Sequence, residues 1–238
     1  MAGVNGEDEA RDARRAGTHA PLRQAAYDQI EDLLNEGGLK PGQMVSQREL
    51  VERTGLTLGA IREAIPRLEA EGLLQTLPKR GLMVPSLDVS FVREAYELRA
   101  MIEMTALTEG YSRLAGRWAR DWLVRHEEAR ERLQAQADLA IAREIQRLDW
   151  SMHAAIVGAL DNTLVSNVYR VTAIKIRMAV QSQIRITPGN AERVLREHLV
   201  FLAALAQDRR EEAIAGLKRH VGISQMLALG GRLPDGQE

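Results

Sequence analysis

From Asp88 to about residue 228 the apolar residues recur at helical spacing almost without a break, and this pattern constrains the fold more than any other feature. It predicts helices at about 89–115, 119–137, 139–160, 163–186, 190–207 and 210–228, and no strand pattern accompanies them. Only 4% of the residues are aromatic, which favours helices packed through aliphatic side chains. We therefore expect an all-helical bundle over residues 87–230 and a flexible C-terminus at 231–238.

The segment before the bundle combines three short helical patterns with two short apolar runs. The first pattern ends at Gly37-Gly38, the second begins at Ser46 with Glu49 completing a capping box, and the third begins at Thr57. The runs 73–77 and 82–84 flank a turn at 78–81 and predict a β-hairpin. These elements predict a winged helix-turn-helix over 21–86, after a disordered tail at 1–20. The expected fold class is mainly α, a winged helix-turn-helix followed by an all-α helical bundle.

The composition excludes several classes of protein and of site. The chain has 238 residues, a formal net charge of −1 and no cysteine, which excludes disulfides, iron–sulfur clusters, thiolate zinc sites and cysteine nucleophiles. No apolar run approaches the roughly 18 residues that span a bilayer, and residues 1–20 lack the apolar centre of a secretory signal. We expect a cytoplasmic protein without membrane contact. Because the chain is almost neutral, any DNA contact must come from a local patch.

A helix-turn-helix places the N-terminus of its second helix against base edges in the major groove. Arg62 lies one turn into that helix, where it can donate two hydrogen bonds to a guanine. The predicted DNA-binding residues are Arg48, Thr57, Gly59, Ala60, Arg62, Lys79, Arg80 and Gly81. Between residues 22 and 86, however, eight basic residues face nine acidic ones, so these arginines and lysines also fit a solvated surface without a DNA role.

Four side chains in the bundle have a spacing that suits a metal site. Asp149 and His153 are four residues apart on one predicted helix and share a face. His198 lies ten residues before Asp208, and His220 lies ten residues after the turn, so a tight turn would place both imidazoles about 15 Å from it. One Asp and three histidines predict a divalent metal, zinc first with nickel or manganese as alternatives. The alternative is four unrelated core or surface side chains.

Several motifs in the N-terminal segment occur in a recognisable order. They are Leu39-Lys40-Pro41-Gly42, Ser46–Leu50, Ile61–Ala64, Arg67–Leu73 and Arg80-Gly81, and together they resemble the GntR superfamily of bacterial regulators. The resemblance implies binding of double-stranded operator DNA. Family members carry Ser-Arg-Thr-Pro or a close variant before Arg62, whereas this chain lacks the base-reading arginine at Leu58. We expect a different or weaker operator, and a kink at Pro66 beyond the contacting residues.

The bundle resembles the FCD effector domain of FadR-like GntR regulators, in the six-helix form of the VanR-like group. The matching segments are Val92 to Glu103, Asp149 to His153, the Asn162 turn, Glu197-His198 and Asp208 to His220. The resemblance implies that Asp149, His153, His198 and His220 bind a metal, which a small carboxylic-acid effector coordinates. It also implies that Arg99 pairs with the effector carboxylate; the alternative is a surface arginine paired with Glu103.

These inferences predict a homodimeric transcription regulator, with repression as the family's default, that binds a pseudo-palindromic operator and releases it when the effector binds. We do not expect an enzyme. One alternative is a metal-dependent enzyme domain fused to a DNA-binding module, but no separate general base is evident, because Glu197 should point to another helix face than His198. The other alternative is a regulator in which the metal is purely structural.

Overall fold

The computed structural model describes residues 21–233, which divide into two compact units between Leu87 and Asp88. The tail expected at 1–20 and most of the flexible C-terminus expected at 231–238 lie outside the described residues. The expected fold class, a winged helix-turn-helix followed by a helical bundle, is confirmed. None of the helices within 21–233 combines the length and the hydropathy that crossing a bilayer requires.

The first unit contains three helices and a small antiparallel sheet. The helices are α1 (residues 21–35), α2 (Gln47–Thr54) and α3 (Leu58–Ala70), and the strands are β1 (Met44–Val45), β2 (Gln75–Leu77) and β3 (Gly81–Met83), in the order β1-β3-β2. The β2–β3 hairpin was expected, but β1 was not, because a strand of two residues carries no periodicity. The expected strand residues Leu73 and Leu74 are instead buried next to the C-terminus of α3.

Local capping explains why the second and third helices begin where they do. The Ser46 hydroxyl accepts a hydrogen bond from the Glu49 amide, and the Thr57 hydroxyl accepts one from the Ala60 amide. Gly55 adopts a left-handed conformation (φ 71°) that ends α2 and opens the turn into α3. The α3 helix then continues through Pro66 as far as Ala70. Its inner face buries Ile61, Ala64, Ile65 and Leu68.

The second unit is a helical bundle, as the periodicity predicted. Its helices are α4 (Val89–Glu109), α5 (Tyr111–Leu114), α6 (Arg117–Ala135), α7 (Leu139–Gly158), α8 (Thr163–Ile184), α9 (Ala191–Ala206) and α10 (Arg210–Ala228). The helix expected at 89–115 is divided at Gly110, where a Cβ atom would lie 2.8 Å from that of Ala159. The α8 helix has a kink at Val180, whose backbone is not helical.

Close packing of α9 against α10 sets the position of two of the candidate site residues. A short turn joins the two helices, with Asp208 at a positive φ of 57° and the Arg209 amide bonded to the Ala204 carbonyl. Gly216 on α10 lies directly against Phe201 on α9; a Cβ at Gly216 would approach the Phe201 Cβ to 2.7 Å. The two helices therefore run antiparallel at close range, so residues equally far from the turn meet.

Candidate metal centre and DNA-binding surface

The bundle brings Asp149, His153, His198 and His220 together. Asp149 and His153 come from α7, His198 from α9 and His220 from α10, and one ligand atom from each lies within 4.8 Å of all the others. The three histidines are between 1% and 3% exposed. The four side chains therefore form one buried cluster that could hold a metal ion.

The distances inside the cluster suit a single divalent cation. The His220 Nε2 atom lies 3.2 Å from Nε2 of His153 and 3.2 Å from Nε2 of His198. The Asp149 Oδ1 atom lies 3.6, 3.4 and 4.0 Å from Nε2 of His153, His198 and His220. Four ligands about 2.1 Å from a tetrahedral metal would be separated by about 3.4 Å. The donor set of three imidazoles and one carboxylate fits zinc or a similar transition metal.

Two of the histidines are held by carboxylates on the side away from the cluster. The Nδ1 atom of His153 lies 2.8 Å from Glu103 Oε2, and the Nδ1 atom of His220 lies 2.7 Å from Glu197 Oε2. A carboxylate accepts a hydrogen bond from the Nδ1–H group, which keeps the proton on Nδ1 and leaves the Nε2 lone pair for a metal. Burial lowers the pKa of His220, which favours the neutral, ligating imidazole.

The third histidine is held by another histidine. His198 Nδ1 lies 3.1 Å from Nε2 of His126, and His126 Nδ1 lies 2.7 Å from the Trp122 carbonyl oxygen. Burial lowers the pKa of His126 to about 4, so its ring is neutral near neutral pH. Burial also holds the pKa of His198 well below its ordinary value. Each of the three candidate ligand histidines thus has a hydrogen-bond partner at Nδ1 and turns Nε2 towards the common centre.

An arginine supports each of the two carboxylates. Arg99 Nε donates to Glu103 Oε1 at 2.6 Å, and Arg193 Nη1 donates to Glu197 Oε1 at 2.6 Å. Two parallel chains of Arg, Glu and His therefore end at the cluster, one from α4 and one from α9. The partnership of Arg99 with Glu103 is present, but the pair is not on the surface, because the side chains are 13% and 0% exposed. Burial alone would raise the pKa of Glu103, but the charges of Arg99 and His153 hold it below its ordinary value.

A pocket opens beside the cluster, and Arg99 and Arg193 are among the residues that line it. It has a volume of about 60 Å³, enough for about four waters. Arg99, Arg177 and Arg193 line it, and Asp149 is the only carboxylate among the described residues of the lining. The Tyr96 hydroxyl is buried there without a hydrogen-bond partner in the described part of the chain. Burial raises the pKa of Tyr96 to about 12, so this hydroxyl remains a donor at neutral pH.

Sequence reasoning missed several contacts around the centre. Glu197 was expected to point to another helix face than His198, and its contact with His220 on the neighbouring helix was not predicted. His126 and Arg193 were not identified at all. The available signal for His126 was its place in the buried stripe of α6, where Ala119, Trp122 and Ala129 recur at helical spacing.

The N-terminal unit exposes a mixed surface at the start of α3. Leu58, Gly59, Arg62 and Glu63 are exposed, and Leu58 retains 40% of its accessible surface. Arg62 Nε donates to Gln47 Oε1 on α2 at 3.0 Å, which fixes the direction of the guanidinium. Ala60 is only 4% exposed, so its side chain faces the core of this unit and offers nothing to a base.

The remaining predicted DNA-binding residues lie at other points on this unit. Arg48 on α2 is exposed and lies 3.5 Å from Glu52. Lys79 and Arg80 are exposed in the turn between β2 and β3, and Lys79 has a positive φ of 62°. Gly81 begins β3 at φ 102°, where a Cβ would approach the Val45 carbonyl oxygen to 3.2 Å. The Thr57 side chain caps α3 through the Ala60 amide.

Comparisons with known proteins match both units. The family of "Bacterial regulatory proteins, gntR family" matches residues 22–84, and the FCD domain family matches residues 94–222. The Nta operon transcriptional regulator of Aminobacter aminovorans is 27% identical over 179 residues, which cover 74% of this chain and 79% of that protein.

Two solved structures share the fold at low sequence identity. The McbR/YncC protein of E. coli superposes with a TM-score of 0.72 at 19% identity, over 87% of this chain and 96% of that one. The metal-free FCD domain of TM0439 superposes with a TM-score of 0.51 at 21% identity, over 61% of this chain and 96% of that one.

Proposed function

The chain belongs to the GntR family of bacterial regulatory proteins, with an FCD domain after its helix-turn-helix, and we propose that it is an operator-binding repressor controlled by a small carboxylic acid. The acid would bind in the pocket beside a divalent metal held by Asp149, His153, His198 and His220. The observation that carries this proposal is the convergence of three Nε2 atoms and one carboxylate on a single buried point. We place zinc first, with nickel or manganese as alternatives.

The residues around the pocket support an anionic ligand. A bound metal that expands its coordination beyond the four protein ligands would supply a position and positive charge for a carboxylate. Arg99 and Arg193 present guanidinium groups to the pocket, and the buried Tyr96 hydroxyl offers a further donor. The Glu103 and Glu197 carboxylates hold these arginines in place from behind. An uncharged or cationic ligand would leave this group of donors without a matching acceptor.

The N-terminal unit supplies the DNA contacts in this proposal. Arg62 reads a guanine in the major groove from the first turns of α3, in an orientation held by Gln47. Arg48, Lys79 and Arg80 contact phosphates or the minor groove, and the backbones at Thr57, Gly59 and Gly81 allow close approach. Two copies of the chain form a homodimer that reads the two halves of a pseudo-palindromic operator. Effector binding lowers operator affinity, for which a coupling of about 1–3 kcal/mol suffices.

A thermal-shift screen tests the effector half of the proposal. The full-length protein is melted with a panel of small mono- and dicarboxylic acids, before and after treatment with a chelator and again after metal is restored. An acid at a hundred times its dissociation constant adds about 2.7 kcal/mol of stability. We expect a rise in melting temperature that chelation removes and added zinc restores. If the protein holds metal and no acid raises its melting temperature, the metal is structural and the proposed effector class is wrong.

A second arm of the experiment addresses DNA. Operator sequences are selected from a random duplex library with the full-length protein, and binding is followed by fluorescence anisotropy. The acid that raises the melting temperature should weaken binding to the selected operator. The amine analogue of the same carbon skeleton is the control and should leave binding unchanged. Operator binding that strengthens with the acid would contradict the repressor assignment.

A further inference from the structure

The three candidate ligand histidines of the centre are not held by the same kind of partner. His153 and His220 each face a carboxylate at Nδ1, whereas His198 faces the neutral ring of His126. An imidazole nitrogen can serve either as a donor or as an acceptor, unlike a carboxylate oxygen, which only accepts. The orientation of His198 therefore depends on which nitrogen of His126 carries the proton.

The Trp122 carbonyl settles that question. A carbonyl oxygen only accepts hydrogen bonds, so the His126 nitrogen that lies 2.7 Å from it, Nδ1, carries the proton. In the neutral ring the opposite nitrogen, Nε2, is then an acceptor and accepts a hydrogen bond from the Nδ1–H group of His198 at 3.1 Å. If the proton were on Nε2 of His126 instead, the lone pair of its Nδ1 would face a lone pair of the Trp122 carbonyl oxygen. The proton on Nδ1 leaves Nε2 of His198 without one, facing Asp149 and His220.

Both ring nitrogens of His126 are buried, and each has one hydrogen-bond partner. Its side chain is 0% exposed, and it lies between the Trp122 ring and the His198 ring, with centroid distances of 6.1 and 5.1 Å. Burying an imidazole costs free energy unless both nitrogens are satisfied. Both are satisfied here by a single chain of hydrogen bonds that ends at the metal cluster.

We propose that His126 is a positioning residue of the metal centre, which holds His198 in the tautomer that binds metal through Nε2. This inference rests on the proposed function, since it assumes that the cluster binds a metal. His126 does not contact the metal; it acts through His198. The backbone of α6, through the Trp122 carbonyl, thereby determines the state of a ligand on α9.

A matched pair of variants tests this role. His126→Phe keeps an aromatic ring and loses the acceptor, whereas His126→Gln keeps an acceptor for His198 and a donor for the Trp122 carbonyl. Zinc affinity of the full-length protein is measured by competition with a colorimetric chelator. We expect His126→Phe to weaken zinc binding about 10- to 100-fold, as loss of a partner behind a ligand does. His126→Gln should stay within a few-fold of the wild-type chain.

The same variants give a spectroscopic readout that packing alone would not change. Cobalt replaces zinc, and its visible absorption reports the number and geometry of its ligands. His126→Phe should show an altered cobalt spectrum, and His126→Gln should restore the wild-type one. Equal zinc affinity and identical cobalt spectra for wild type and His126→Phe would overturn the inference. Equal losses in both variants would also overturn it, because they would show that packing, not the acceptor, matters.

Nitrogen NMR of the wild-type protein tests the tautomer without any substitution, and so remains informative if His126→Phe does not fold. With ¹⁵N-labelled histidine, His198 should carry its proton on Nδ1, and Nε2 should show the shift of a metal-bound nitrogen. A proton on Nε2 of His198 in the zinc-loaded protein would refute the role of His126. A wild-type chain that binds no metal at all would instead contradict the proposed function.

Discussion

Glu103 accepts a hydrogen bond from Nδ1 of His153 at 2.8 Å, although the two residues lie 50 positions apart on different helices. The other oxygen of the same carboxylate receives Arg99 Nε at 2.6 Å and the Tyr169 hydroxyl at 2.8 Å. One buried carboxylate thus joins a pocket arginine to a candidate metal ligand. The pocket and the metal centre therefore share a hydrogen-bond network, so a ligand in the pocket should alter the hydrogen bonds that orient His153.

Replacing Glu103 tests that connection. Glu103→Gln keeps the size of the side chain but removes the charge that orients His153, so zinc affinity should fall about 10- to 100-fold. Chelator competition provides the measurement. Glu97→Gln, on the exposed face of the same helix, is the control and should bind zinc as the wild type does. Unchanged affinity in a folded Glu103→Gln protein would show that the carboxylate does not support the centre.

The stability of the metal-free protein should fall as the pH falls from about 6.5 to 4. Burial lowers the pKa of His126 to about 4, whereas the same side chain in the unfolded chain titrates near 6.5. Over this interval the unfolded state therefore binds a proton at His126 and the folded state does not. The free energy of unfolding falls as a result, by about 3 kcal/mol at most for His126. His198 and His220, whose pKa values are also lowered, act in the same direction. His153 acts in the opposite direction, because against the effect of burial the Glu103 charge raises its pKa, but it is one ring against three.

Urea unfolding of the chelated protein between pH 7 and 4 measures this effect. The His126→Gln variant lacks the titrating ring and should show a shallower dependence of unfolding free energy on pH. Parallel curves for wild type and variant would contradict the assigned lowering of the His126 pKa.

Arg62 should contribute sequence specificity to operator binding rather than general affinity. Under the proposed function, Arg62→Ala removes two donors to a guanine, so binding to the selected operator should weaken by about 1–3 kcal/mol. Binding to unrelated duplex DNA should change little. Lys79→Ala is the comparison, because loss of a phosphate contact should weaken both duplexes alike and reduce the salt dependence of binding. An Arg62→Ala protein that loses affinity equally for both would argue against base reading.

Leu58 should restrict the operator to one that differs from the operator that an arginine at this position would read. Its exposed apolar side chain, one helical turn before Arg62, offers contact to a thymine methyl group and no hydrogen bond to guanine. Leu58→Arg should therefore select operators with an additional guanine in each half-site. Selection from a random duplex library with both proteins measures the change. Identical selected sequences would show that this position does not read bases.

Packing between α9 and α10 leaves no room at Gly216. Gly216→Ala should destabilise the protein by about 1–3 kcal/mol, because the new methyl group would lie 2.7 Å from the Phe201 Cβ. Gly222→Ala on the same helix is the control: nothing lies within 4 Å of a Cβ there, so the gain in helix propensity should stabilise the protein by up to about 1 kcal/mol. Thermal unfolding of both variants checks the pair. A Gly216→Ala protein as stable as Gly222→Ala would contradict the close contact.

The helices could be predicted from the sequence because each has its own apolar stripe and ends at residues that favour turns. The observed bounds of α6, α7 and α9 differ from the expected ones by at most about two residues. Strand β1 could not be predicted, since its two residues are a strand only by pairing with β3. Likewise, equal spacing from one turn suggested that His198 and His220 would meet, because antiparallel helices place such residues at the same height.

The partners behind the histidines could not be predicted in this way. His126 lies 72 positions from His198, and their contact depends on how α6 rotates against α9. The role of Glu197 could not be predicted from its own helix, because its partner, His220, lies on the adjacent helix. Local periodicity identifies the buried face of a helix but not which buried polar groups pair across the core.

Metal content is the most direct test of the central claim that Asp149, His153, His198 and His220 hold a divalent metal. Mass spectrometry of elements in the purified full-length protein is compared between the wild type and His198→Ala, with His19→Ala, in the N-terminal segment, as control. We predict about one divalent ion per chain in wild type and control, and nearly complete loss in His198→Ala. Equal metal content in His198→Ala and wild type would contradict the account.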